Sequence, residues 1–79
     1  MEYKKGLVVK ASAGRDKDGF FIVTAFDDKF VYIADGKRRP LERPKKKNPL
    51  HLKATGTVAE NVDTNKKVRR FLAEFQQKC

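Results

Sequence analysis

Phe20-Phe21-Ile22-Val23-Thr24-Ala25-Phe26 is the stretch on which the fold turns. Aromatic and β-branched residues dominate it, which favours a strand, and successive side chains of a strand point to opposite faces. Here both faces are apolar. One must line a core, and the other must be covered by a separate element. The preceding run, Leu7-Val8-Val9-Lys10-Ala11-Ser12, puts Leu7, Val9 and Ala11 on one face and Lys10 and Ser12 on the other. A polar loop over residues 13–19 joins the two runs. Beyond them, Asp27-Asp28-Lys29 reads as a turn and Phe30-Val31-Tyr32-Ile33-Ala34 as a third strand.

Asp35-Gly36 tolerates the positive φ angles of a type I′ turn and predicts a hairpin into a fourth strand over 37–41, ending near Pro40. Residues 43–49 read as a loop, because Pro44, Asn48 and Pro49 interrupt a ladder. A last short strand is expected over 50–54, with Leu50 and Leu52 facing inward. Five short strands joined by tight turns predict a mainly β class: a small SH3-like five-stranded barrel formed by residues 1–54.

The period then changes. In residues 55–79 a linker leads to a helix over about 65–77, with Asp63 or Thr64 as its cap. Val68, Phe71, Leu72 and Phe75 fall at i, i+3, i+4 and i+7, one apolar face. So short a helix is marginal alone in water, so it is expected to pack on the barrel, over the second apolar face of the 20–26 strand. Barrel and helix then form one compact domain.

The net charge of +9 is unevenly placed. Residues 1–36 carry six basic and six acidic side chains, and residues 54–79 carry five and three. Residues 37–53 carry eight basic side chains against Glu42 alone, a net +7. Such a segment repels itself unless it is solvated or faces a polyanion.

Little points to chemistry. His51 is the only histidine and Cys79 the only cysteine, too few for a zinc site, and one cysteine forms no internal disulfide. Asp27 and Asp28 are adjacent turn residues and make no carboxylate dyad. No Walker-type phosphate loop is present, and neither an enzyme nor a cofactor is expected. No secretory leader is read in Met1-Glu2-Tyr3-Lys4-Lys5, and no apolar run is long enough to span a bilayer. The expectation is a soluble, cytoplasmic monomer.

Lys5-Gly6-Leu7-Val8-Val9-Lys10-Ala11-Ser12-Ala13-Gly14-Arg15-Asp16-Lys17-Asp18-Gly19 resembles a KOW motif: a basic-glycine entry, an alternating strand, and a glycine loop with basic residues. With 30–37 and Pro44-Lys45-Lys46-Lys47, the resemblance extends over about residues 4–53. It is to small KOW-domain RNA-binding proteins, similar to large-subunit ribosomal proteins fourteen and twenty-seven of the archaeal and eukaryotic scheme. It implies a partner in RNA, ribosomal RNA of the large subunit above all. Asp18 departs from the pattern, since the family loop is often basic or glycine there.

The residues expected to meet RNA follow. Lys5 belongs to the motif's entry, Gly14 lets backbone approach closely, and Arg15 and Lys17 project from its loop. Lys37, Arg38, Arg39, Arg43, Lys45, Lys46, Lys47 and Lys53 supply the main cationic surface. Among the aromatic residues Tyr32 is the best candidate to stack on an unpaired base. A second reading is a protein-interaction module that docks its partner on the apolar face of the helix. Attachment to an acidic membrane surface fits the charge but lacks an anchor.

Overall fold

The structure, a computed structural model, describes residues 3–14 and 17–78. Five strands, a 3₁₀ turn and a helix follow one another: β1 (Leu7–Ala11), β2 (Phe20–Phe26), β3 (Val31–Ala34), β4 (Lys45–Lys47), the turn Pro49–His51, β5 (Leu52–Val58) and α1 (Asn65–Lys78). The strands form one antiparallel sheet in the order β4-β3-β2-β1-β5. β4 and β5 are its edges, and no ladder joins them among the described residues, so hydrogen bonds do not close the sheet.

The two apolar faces of β1 and β2 each have a core. Leu7, Val9, Ala11, Phe21, Val23, Val31, Ile33 and Leu52 gather on one face, contributed by four strands of one sheet with no helix above them. A single sheet buries such a face only by curling over it. Two irregularities assist the bend, at Val23–Ala25 on β2 and opposite Leu7–Val9 on β5. On the other face Val8 and Ile22 pack with Ala59, Val68 and Leu72, flanked by Phe20, Leu41, Val62, Phe71 and Phe75.

The helix therefore sits where the sequence predicts it. Thr64 caps it: its Oγ1 accepts the Lys67 N–H at 3.2 Å. Asp63 adds an ion pair to Lys67 at 2.9 Å. Phe75 meets Phe20 edge-to-face, with ring centroids 5.3 Å apart.

Three expectations give way. No fourth strand forms at 37–41, because the Asp35 carboxylate takes the N–H groups of Lys37 and Arg39 at 2.9 and 3.0 Å. Asp35-Gly36 thus opens a long loop, not a two-residue hairpin. The fourth strand is instead the lysine run 45–47, read from sequence as part of a loop; it pairs with β3 between Pro44 and Pro49. Lysine is poorly suited to a sheet interior but common on edges, where it discourages further pairing. The last strand begins at Leu52, and Leu50, expected inward, is 86% exposed in the 3₁₀ turn. Asn48 caps that turn, accepting the Leu50 N–H at 2.9 Å and turning residue 50 out of register.

Leu72 is 4% exposed in the sheet–helix core. Leu72→Ala is expected to destabilise the fold by about 2–5 kcal/mol. In a domain this small that lowers the melting temperature by roughly 10 °C or more, read by thermal circular dichroism.

Candidate nucleic-acid interface

Eleven of the twelve basic and glycine positions expected to meet RNA lie among the described residues; Arg15 does not. They fall on three elements with different fates.

The first is the loop over 35–44. Lys37, Arg38 and Arg43 are exposed and Arg39 is half-buried. The loop is braced from inside by the Asp35 carboxylate and from outside by the first turns of α1. The Asn65 amide oxygen accepts the Leu41 N–H at 2.7 Å, and its nitrogen donates to both Glu42 carboxylate oxygens at 2.8 and 3.1 Å. Arg69 Nη1 donates to the Gly36 carbonyl at 3.1 Å. Glu42, the one acid of the basic segment, is thereby held by an amide and not by its basic neighbours. Among the described residues Lys37, Arg38 and Arg43 form no ion pair.

Sequence reading missed Arg69. Its place on the polar side of the helix was legible, but not that this side meets the loop and adds a cation beside Lys37 and Arg38. Lys5, from the motif's entry, is exposed at an open groove of about 730 Å³ whose wall includes Leu41 of the same loop.

The second element is β4. Lys45 and Lys47 share the core-side face with their neighbours Ile33 and Val31, whereas Lys46 stands with Tyr32 on the other face. Lys47 is 7% exposed, and its Nζ donates to the Ala13 carbonyl at 3.1 Å. It ties the free end of β4 to the loop after β1, across the unpaired side of the sheet. Lys47 therefore serves the fold and is not presented to a ligand. Lys46 is exposed and places its ammonium 4.1 Å from the centre of the Phe30 ring.

The third element is the 12–19 loop with its neighbour β5. Gly14 has φ +82°, and a Cβ there would lie 3.2 Å from Lys47 Nζ. Its missing side chain thus makes room for a lysine of the same chain. Lys17 and Lys53 are exposed. Lys53 lies across the ladder from Lys10, whose ammonium is 3.9 Å from the Asp18 carboxylate.

The acidic turn before β3 is also organised. Asp27 Oδ1 accepts the N–H groups of Lys29 and Phe30 at 2.8 and 2.7 Å. These bonds, the one from Phe30 first, hold its carboxyl below the ordinary aspartate value. The turn therefore keeps both bonds at neutral pH and loses them only as the pH falls through that lowered value.

No group of three or more potential metal-binding His, Cys, Asp or Glu residues occurs among the described residues. No helix among them is long and apolar enough to cross a membrane. No protein-family model and no curated protein matches the chain.

Gly36 and Gly56 separate two effects of a missing side chain. Both have positive φ, +80° and +82°, but a Cβ at Gly36 would lie 2.4 Å from the Asn65 carbonyl oxygen, and one at Gly56 meets nothing within 4 Å. Gly56→Ala is expected to cost about 1–2 kcal/mol of backbone strain. Gly36→Ala adds the displacement of the helix start, and its fall in melting temperature should be at least twice as large.

Proposed function

We propose that this chain is a KOW-type RNA-binding protein that grips the backbone of folded RNA with the loop over 35–44, ribosomal RNA of the large subunit being the target. The observation that carries this is a set of exposed cations on a braced loop: Lys37, Arg38 and Arg43, with Arg69 alongside. A phosphate that meets such a loop finds charges already positioned, which lowers the ordering cost of binding. Arginine forks suit phosphate oxygens, and contact with them releases counterions from the RNA.

The scaffold supports the same reading. A curled antiparallel sheet in which sequence neighbours pair and the last strand returns beside the first fits the SH3-like barrel of KOW proteins. Recognition of this kind rests on backbone and shape, with few contacts to base edges. The competing picture, a module that docks a protein on its apolar helix face, loses its surface. Val68 and Leu72 of that face are buried against the sheet, and Phe71 and Phe75 pack around them.

Two measurements test the proposal. Replacing Lys37, Arg38 and Arg43 by glutamate should lower affinity for structured RNA on the order of a hundredfold at moderate salt. It should also flatten the dependence of log affinity on log salt, by roughly one unit of slope for each phosphate the loop no longer neutralises. Lys47→Met should lower thermal stability while the folded protein binds as before; unchanged binding by the triple variant overturns the loop as the point of attachment. In a sucrose gradient of lysate the protein should migrate with the large ribosomal subunit. Recovery only from the top fractions at low salt removes the ribosomal target.

A further inference from the structure

β3 and the residue before it carry aromatic surface that neither core uses. Val31 and Ile33 are buried under the curled sheet, but Phe30 and Tyr32 belong to neither apolar cluster and are half-buried. Tyr32 and Lys46 are cross-strand partners, so their side chains share a face. With Phe30, Asp27, Asp28 and Lys29 they line an open groove of about 390 Å³ beside the β2–β3 turn. Asp27 fixes this wall through its bonds to the N–H groups of Lys29 and Phe30. Lys46 stands over the Phe30 ring.

The charges of the groove say what suits it. Asp27 and Asp28 offset Lys29 and Lys46, so the groove as a whole is close to neutral and suits a ligand that carries little charge. Two aromatic rings favour a flat, uncharged group that can stack. Lys46, whose ammonium stands over the Phe30 ring, supplies a cation next to them. A flat base carrying a phosphate at its edge has this chemistry. The groove is also close along the chain to the loop proposed to hold RNA, since Lys46 follows Arg43 by three residues, at most about 11 Å of chain.

We propose that this groove binds an unpaired nucleobase of the RNA, stacked on Tyr32, with the Lys46 ammonium on the adjoining phosphate. The proposal rests on the RNA-binding reading of the loop and adds to it a preference for a strand with at least one base out of its helix.

The chain has two tyrosines and no tryptophan, so in a Tyr3→Phe background Tyr32 is the sole tyrosine emitter. Short single-stranded RNA should quench that emission, whereas an abasic strand with the same number of phosphates should not. Tyr32→Ala should weaken binding of the single strand about tenfold or more and leave the salt dependence unchanged. Lys46→Ala should reduce the salt slope by the equivalent of roughly one phosphate. Tyr32→Leu, which keeps apolar volume in β3, should weaken binding similarly if the alanine variant folds poorly, and the quenching test needs no change at Tyr32 at all. Equal quenching by base-bearing and abasic strands, or an affinity within twofold of the parent for a folded Tyr32 variant, overturns the groove. If structured RNA binds and responds to charge reversal in the loop while Tyr32 stays silent, the groove alone falls. If no RNA binds, both readings fall.

Discussion

The constraint behind the whole structure is that β1 and β2 are apolar on both faces. Val8 and Ile22 point one way, and Val9, Phe21 and Val23 the other. One small sheet cannot hide two faces in the same manner. It curls over the first, drawing in Val31, Ile33 and Leu52 from its outer strands, and it borrows a helix for the second. In a domain this small neither core is large, so each depends on the other to hold the β1–β2 pair in place.

The helix has a second role that follows from the first. Once Val68 and Leu72 face the sheet, the first turns of α1 are carried to the loop over 35–44, where Asn65 and Arg69 meet it. Gly36 marks how close the approach is, since only a residue without a Cβ leaves the Asn65 carbonyl in place. A loop rich in like charges would otherwise spread in solution. Backbone N–H groups given to the Asp35 carboxylate and the Asn65 amide oxygen, and the bond that Arg69 donates to the Gly36 carbonyl, hold it against that repulsion. None of these uses a charge of the loop's own basic side chains. The packing of a core and the presentation of cations are thus coupled through one short helix.

How much of this was legible in the sequence depended on the kind of signal. The strand over 20–26 and the helix were legible because periodicity reports burial directly. The cap was legible as Asp63 or Thr64, since both side chains are chemically suited to one, and the fold uses Thr64. The fourth strand was not, since Lys45-Lys46-Lys47 between prolines carries no propensity for a sheet and pairs only because β3 offers an open edge. Asp35-Gly36 misled for a local reason: a turn signal does not say whether the aspartate will go on to take the N–H groups that a hairpin strand requires. The basic segment was legible as a concentration of charge, but not as a surface, because which face a lysine occupies is set by pairing register.

That register is what separates the exposed lysine of β4 from the buried one. Eight basic residues in seventeen look equivalent along the chain. In the fold Lys47 is buried, and its ammonium donates to the Ala13 carbonyl just after β1. Lys46, one residue earlier, is turned to the opposite face and rests on Phe30. A buried ammonium is costly unless a polar group receives it, and the Ala13 carbonyl does so. Gly14 is favoured by its φ of +82°, and a Cβ there would also stand close to the Lys47 ammonium, 3.2 Å away. Glycine and lysine, read from sequence as two separate parts of an RNA-binding surface, are in the fold neighbours at one contact between β4 and the residues after β1. Lys37, Arg38 and Arg43 stay exposed on the loop that the helix holds.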